Sequence, residues 1–133
     1  MSESLKVSIE LPVSLEVVFH AWLDSDEHAA FTGSPAHINP HVGGKYEAWD
    51  GYISGTIQEL QPPRRIMQSW RTTEFPEDAP DSLLEVLLEP TGTGTRLTLV
   101  HTQIPDGQGQ EYEQGWKDYY FEPMKAYFEK RLA

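Results

Sequence analysis

Hydrophobic and polar positions along the chain change period several times, and each change marks an element. From Leu5 to Leu11 the apolar residues Leu5, Val7, Ile9 and Leu11 take every second place, the period of a strand with one buried face. Pro12 ends that run. Leu15, Val18, Phe19 and Trp22 then recur at the i, i+3, i+4, i+7 spacing of an amphipathic helix. Ser14 is placed to cap it, and Glu16 sits in the first turn, where the helix dipole favours an acid. Ser25 reads as the cap of a second short helix over Asp26 to Phe31, closed by Gly33 and Pro35. Alternation returns after a Gly43-Gly44 turn, as a strand through Tyr46 and Trp49, a hairpin turn at Asp50-Gly51 and a strand to Leu60. Pro62-Pro63 separates these from a strand over RRIMQSWRT, and TEFPEDAPD reads as an exposed loop. Ser82 to Glu89 and Thr95 to Gln103 make a last hairpin around PTGTG. The order is one strand, two short helices, about five more strands and a long terminal helix. That order predicts an α+β fold of about six antiparallel strands with the helices on one face.

The terminal segment EYEQGWKDYYFEPMKAYFEKRL carries seven aromatics. At about 100° per residue, Tyr112, Trp116, Tyr120, Pro123, Met124 and Tyr127 fall on one side of a helix. Phe121, Phe128 and Leu132 widen this apolar arc to roughly 200°, against the ~100° of an ordinary surface helix. Asp118, Glu122, Lys125 and Glu129 are left as the polar back. An arc so wide needs a concave partner, which a twisted sheet curling around the helix would supply. Pro123 removes one N–H and crowds the carbonyl of Tyr119, so a bend is expected there, either following the sheet or acting as a hinge.

Length and charge narrow the function. A chain of 133 residues fits one domain, with residues 1–4 expected as a flexible tail. Ten Lys and Arg against 21 Asp and Glu give a formal net charge of −11, which repels phosphate backbones and anionic membranes, so neither nucleic acid nor a membrane is an expected partner. There is no cysteine, no basic-then-apolar leader and no apolar run near the ~20 residues of a membrane span, and a cytoplasmic location is expected.

Few residues propose chemistry. His37 and His41 have the spacing of a helical metal pair, but Pro40 and the glycines after it oppose a helix, and no metal or cofactor is expected. The GGKY stretch lacks the Lys-Ser/Thr of a phosphate-binding loop. No carboxylates stand at a catalytic spacing. His101 shares a strand face with Leu97 and Leu99, so it points inward, as a core histidine hydrogen-bonded to tyrosines of the last helix or as a polar anchor for a ligand. Arg71 stands either at a cavity rim or against the acidic loop.

The stretches AFTGSPAHINPHVGGKYEAWDGYISGTIQEL, IMQSWR, TRLTLVHTQIP and above all QGWKDYYFEPMKAYF resemble the C-terminal domain of the activators of the 90-kDa heat-shock chaperone ATPase, members of the START-like or helix-grip superfamily. The resemblance runs from about Leu5 to Leu132 and implies a helix-grip fold, in which a curved antiparallel sheet grips the C-terminal helix. It also implies a cavity between sheet and helix that takes a small hydrophobic ligand. Phe31, Tyr46, Trp49, Trp70, His101, Trp116, Tyr120 and Met124, from the segments expected to enclose that cavity, are the candidate lining. In the eukaryotic activators this domain is the second of two and contacts the chaperone, which makes a 90-kDa heat-shock chaperone the other implied partner. A non-catalytic binding domain is the expected function, with chaperone regulation as the alternative. Some superfamily relatives are cyclases or hydratases, and here such a reading would need His101 and Tyr120 as acid and base.

Overall fold

The structure, a computed structural model, describes residues 2–132, the last of them by its backbone only. Strand β1 (Ser2–Leu11) is followed by helices α1 (Leu15–Leu23) and α2 (Ser25–Thr32). These carry the chain across to the far edge of the sheet, where β2 (His37–Ile38) begins. From that edge β3 (Lys45–Ala48), β4 (Ile53–Gln61), β5 (Arg65–Thr72), β6 (Ser82–Pro90) and β7 (Thr95–Pro105) wind back one by one until β7 lies beside β1. All pairs are antiparallel, in the spatial order β1-β7-β6-β5-β4-β3-β2. The α+β class expected from the pattern is therefore what forms, with seven strands in place of six. The extra one, β2, is two residues long and too short to show alternation.

Two local expectations are corrected. Ser2 to Ser4 belong to β1, with Ser2 opposite Pro105 and Glu3 opposite Ile104, where a mobile tail was expected; Met1 lies outside the described residues. The cap of α2 is Asp24, whose carboxylate accepts from the Glu27 N–H at 2.9 Å, and Ser25 is the first helical residue. Ser25 Oγ accepts instead from the Ile38 N–H at 2.8 Å and so ties α2 to β2. Ser14 caps α1 as expected.

The inward faces of the long strands are mainly aliphatic, with Gln68, Trp70 and Thr72 of β5 and His101 of β7 as buried exceptions. Ile66, Leu84, Val86, Leu97, Leu99 and Ile104 are fully buried beneath the terminal helix and α1. Register shifts opposite Glu3 and Leu5, where β7 carries the extra residue near Gln103 (φ 60°), and between Ile57 and Glu59 in β4 are bulges, which add local twist. Tyr46 covers Gly55 across the β3–β4 pair, and its hydroxyl donates to the Ser69 carbonyl of β5 at 2.6 Å. A Cβ on Gly55 would collide with that carbonyl and with the Tyr46 ring.

The terminal helix is built in three parts: α3 (Gly109–Gly115), a π-helical turn (Trp116–Phe121) and α4 (Glu122–Leu132). No side chain of its own caps α3. Glu3 of β1 does so from a distance, accepting from the N–H groups of Gly107 (3.0 Å) and Gly109 (2.7 Å), and those bonds hold its carboxyl below the ordinary carboxylate range. The buried side chains Tyr112, Trp116, Tyr120, Met124 and Phe128 succeed one another at steps of four. On a regular α-helix each such step rotates the side chain by about 40°, and the row would turn away from the sheet. The π turn, in which the Glu122 N–H reaches back five residues to the Lys117 carbonyl, widens the helix and removes much of that drift. Pro123 has no N–H to offer Tyr119, so the irregularity expected at the proline is taken up in the turn before it. Among the described residues no helix is long and apolar enough to cross a membrane.

Gly55→Ala is expected to destabilise the protein by about 1–3 kcal/mol, because Ser69 backbone and the Tyr46 ring must both move. Urea unfolding of the variant against the parent measures this; an unchanged midpoint would contradict the close approach of β4 and β5.

Candidate functional site

Between the β3–β4 turn, β5 and the terminal helix lies a cleft of about 310 Å³. Trp70 of β5, Tyr112 of α3 and Trp116 of the π turn form one part of its wall. Trp49, Tyr119 and Tyr120 form another, and Tyr52 and Ile53 continue it along the start of β4. The rings meet at steep angles, as with Trp70–Tyr112 (4.9 Å, 78°) and Trp49–Tyr119 (5.8 Å, 72°), so they enclose space as the walls of a box rather than as a stack. Tyr119, 61% exposed, marks the mouth. Glu111 is the single acidic residue of the lining, and no lysine, arginine or histidine is among the described lining residues.

Gly115 also lines the cleft. Its backbone is ordinary right-handed helix, and a Cβ there would meet only the Tyr119 ring, at a comfortable 3.9 Å. Neither backbone conformation nor packing demands glycine, although glycine within a helix costs about 0.5–1 kcal/mol relative to alanine. A side chain at this position would project into the cleft.

Trp49 is held in the left-handed backbone region (φ 54°), as are Asp50 (φ 57°) and Gly51 (φ 88°) after it. The strand expected through Trp49 thus stops at Ala48. The Asp50 N–H donates to the Pro35 carbonyl at 3.2 Å and pins the turn to the segment after α2. A bulky residue with positive φ is uncommon and marks a conformation enforced by its surroundings.

Two buried histidines lie behind the cleft. The Trp116 indole N–H donates to His101 Nδ1 at 3.2 Å, so Nδ1 is unprotonated and the proton is on Nε2. Nε2 donates to Ser82 Oγ (2.8 Å), which donates to the Trp70 carbonyl (2.7 Å). His28 has the opposite tautomer: Nδ1 donates to the Trp22 carbonyl, and Nε2 accepts from the Tyr120 hydroxyl, each at 2.9 Å. Burial lowers His101 to about 3 and His28 to about 4, and burial also raises the Tyr120 hydroxyl. His101 is therefore a satisfied core histidine. It forms no hydrogen bond with Tyr120, which reaches His28 instead, and the acid/base pair His101–Tyr120 does not assemble.

Of the eight residues expected to line a cavity, Trp49, Trp70, Trp116 and Tyr120 are on the cleft wall. Phe31 packs edge-on to Tyr120 and Tyr127 in the core, Met124 is fully enclosed, Tyr46 covers Gly55, and His101 stands behind Trp116. Tyr52, Ile53, Glu111, Tyr112, Gly115 and Tyr119 were not among the candidates. The helical period places Tyr112 on the apolar side of the helix without marking it as lining, and Tyr119 lies within the π turn, where the ordinary helical period does not show which way its ring faces. His37 and His41 are exposed and share in no cluster of possible metal ligands among the described residues. Arg71 pairs with Asp81 of the acidic loop at 2.7 Å, and Phe75 of that loop is buried against Trp70 and Tyr112.

Both histidines are expected to stay neutral in the folded protein at pH 5, with opposite tautomers, as read from ring ¹⁵N and ¹³C shifts. Their folded values lie below the ordinary 6.5, so their contribution to stability is complete above about pH 6.5 and is lost as pH falls toward 4 and 3. Urea unfolding at pH 7 and pH 5 is expected to differ by about 2 kcal/mol per histidine. Two rings charging near pH 6 in the folded state would contradict the network.

Several known proteins are similar to this chain. A human protein, activator of 90 kDa heat shock protein ATPase homolog 1, is 30% identical over 115 residues, which is 86% of this chain and 34% of the relative. A Dictyostelium discoideum activator homolog is 26% identical over 128 residues, covering 96% of this chain and 33% of its own. The chain thus spans about a third of the length of the curated relatives it matches. Among solved structures, an HSP90 activator from Plasmodium falciparum superposes with a TM-score of 0.83 at 25% identity, covering 92% of this chain and 94% of that one. A Mesorhizobium loti protein at 18% identity, with a TM-score of 0.80 over 96% of this chain and 98% of that one, shares the fold. The profile of the Activator of Hsp90 ATPase homolog 1-like proteins matches residues 12–129, and the chain belongs to that family.

Proposed function

We propose that this domain is a non-catalytic binding module that holds a small, largely hydrophobic molecule in the cleft between sheet and terminal helix. The observation that carries this reading is Gly115: a helical position on the cleft wall where a Cβ would meet nothing closer than the Tyr119 ring at 3.9 Å, yet no side chain is present. The volume of about 310 Å³ stands at the lower end of ligand pockets, which suits a small ring compound. The buried polar groups around the cleft are matched with one another, which leaves chiefly ring surface for a ligand. A cytoplasmic place of action belongs to the same proposal.

Titration with a neutral naphthalene probe, monitored by quenching of tryptophan fluorescence, is expected to show saturable one-to-one binding. Gly115→Leu is expected to abolish it, while Gly115→Ala raises stability by about 0.5–1 kcal/mol and weakens binding only in part. Absence of saturable binding, or equal binding by Gly115→Leu, would overturn the proposal.

The second reading is regulation of a 90-kDa heat-shock chaperone, favoured by the 30% identity to a human activator of that ATPase. Stimulation of the host chaperone's ATPase by the isolated protein would support it. No complex and no stimulation at high concentration would remove it.

A further inference from the structure

Aromatic boxes are selective for charge as well as for shape. Each ring presents a negative π face, and a cation set among several such faces is attracted to all of them. The cleft wall holds three tryptophans and four tyrosines. Their polar ends are largely engaged elsewhere: Trp116 donates to His101, Tyr120 to His28, Tyr112 to Gln108 at 2.6 Å, and Tyr52 to Glu74. The Thr72 hydroxyl donates to Tyr112 in turn, at 2.7 Å.

The charge on the described lining has one sign, and the bases that follow wall residues in sequence, Lys117 and Arg71, are paired with Glu113 and Asp81. Glu111, exposed on α3, is the only charged residue of the described lining, and Glu74 holds the Tyr52 hydroxyl at the same end. Burial raises the Tyr112 hydroxyl, and the carboxylates of Glu74 and Glu111 both raise it further, which places their negative field on the cleft wall. Arg71, the nearest base in sequence to the wall residue Trp70, is committed to Asp81 and to the Pro76 carbonyl. The net charge of −11 adds a general attraction for cations. An anionic or carboxylate ligand would meet no donor of opposite charge here.

We propose that the cleft selects a small organic cation, a quaternary or fully substituted ammonium group carried on an apolar body, with the ammonium among the rings and Glu111 at the mouth as its counter-charge. This rests on the binding-module reading above and deepens it. The ammonium would sit in the open space in front of rings that already touch one another at steep angles, Trp70–Trp116 (5.5 Å, 44°) and Trp70–Tyr112 (4.9 Å, 78°), and not between the members of either pair. Its apolar body would lie along Ile53 and the open space above Gly115. A compact primary amine fits less well, because its hydrogen-bond donors would find few acceptors on the wall.

The test compares benzyltrimethylammonium with its neutral isostere neopentylbenzene, and with phenylacetate as the anion, on the full chain at pH 7.5 by calorimetry and tryptophan fluorescence. The cation is expected to bind at least fivefold more tightly than the neutral isostere, with no binding of phenylacetate. Glu111→Gln, an exposed substitution, is expected to weaken the cation about fivefold or more and leave the neutral compound unchanged; Gly115→Leu is expected to abolish both. Equal or tighter binding of neopentylbenzene, or an unaltered cation affinity in Glu111→Gln, overturns charge selection while the binding module stands. Binding of none of the three overturns both.

Discussion

Trp116 and Tyr120, one turn apart on the terminal helix, each give their only polar hydrogen to a buried imidazole. Trp116 donates to His101 of β7 and Tyr120 to His28 of α2. Hydrophobic contact alone would let an aromatic helix slide or roll over an aliphatic sheet, because that attraction has no direction. Two hydrogen bonds to fixed acceptors, one on the sheet and one on the helical layer, set both the height and the rotation of the helix. An indole N–H only donates, so His101 must be neutral for the helix to sit where it does. Ser82 and the Trp22 carbonyl complete the constraint by holding each imidazole in the required tautomer.

The π turn serves the same placement. With buried residues at strict steps of four, a regular helix would bring either Tyr112 and Trp116 or Met124 and Phe128 onto the sheet, but not all of them together. Widening the helix at Trp116–Phe121 keeps the row in line, and it does so directly ahead of the residue that cannot donate, Pro123. Protein interiors are close-packed, and space of any size beneath a helix needs a local cause. Here a glycine stands at the N-terminal edge of the wide turn, where a Cβ would meet nothing nearer than the Tyr119 ring at 3.9 Å.

Much of this was legible in the sequence, for identifiable reasons. Alternation in LKVSIEL and in the last hairpin, the caps around Ser14 and Gly33, and the wide apolar arc of the final segment each carry a strong period or a strong breaker, and they led to the right class and element order. The features that escaped detection lack one. β2 is too short for a period, and the pairing of Ser2 to Ser4 depends on a partner a hundred residues away. His28 lies in a polar, weakly amphipathic stretch, and only the arrival of Tyr120 makes it a core residue. Six of the ten cleft-wall residues were missed: Tyr52 and Ile53 line it from the start of β4, Glu111, Tyr112 and Gly115 from α3, and Tyr119 from within the π turn, where a 100° helical wheel no longer applies.

Trp49 is a second feature that supports the proposed binding module. The β3–β4 connection needs left-handed backbone at three successive positions, Trp49, Asp50 and Gly51. Asparagine, aspartate or glycine would occupy such positions with little strain, whereas a tryptophan there costs on the order of 1–2 kcal/mol. Trp49 is half-buried against the core, and its ring meets the buried Tyr120 and the exposed Tyr119 on the cleft wall. A strained turn that presents a large ring to an open space, opposite a helix that carries no side chain at Gly115 on the same wall, supports the proposed binding of a small molecule between them.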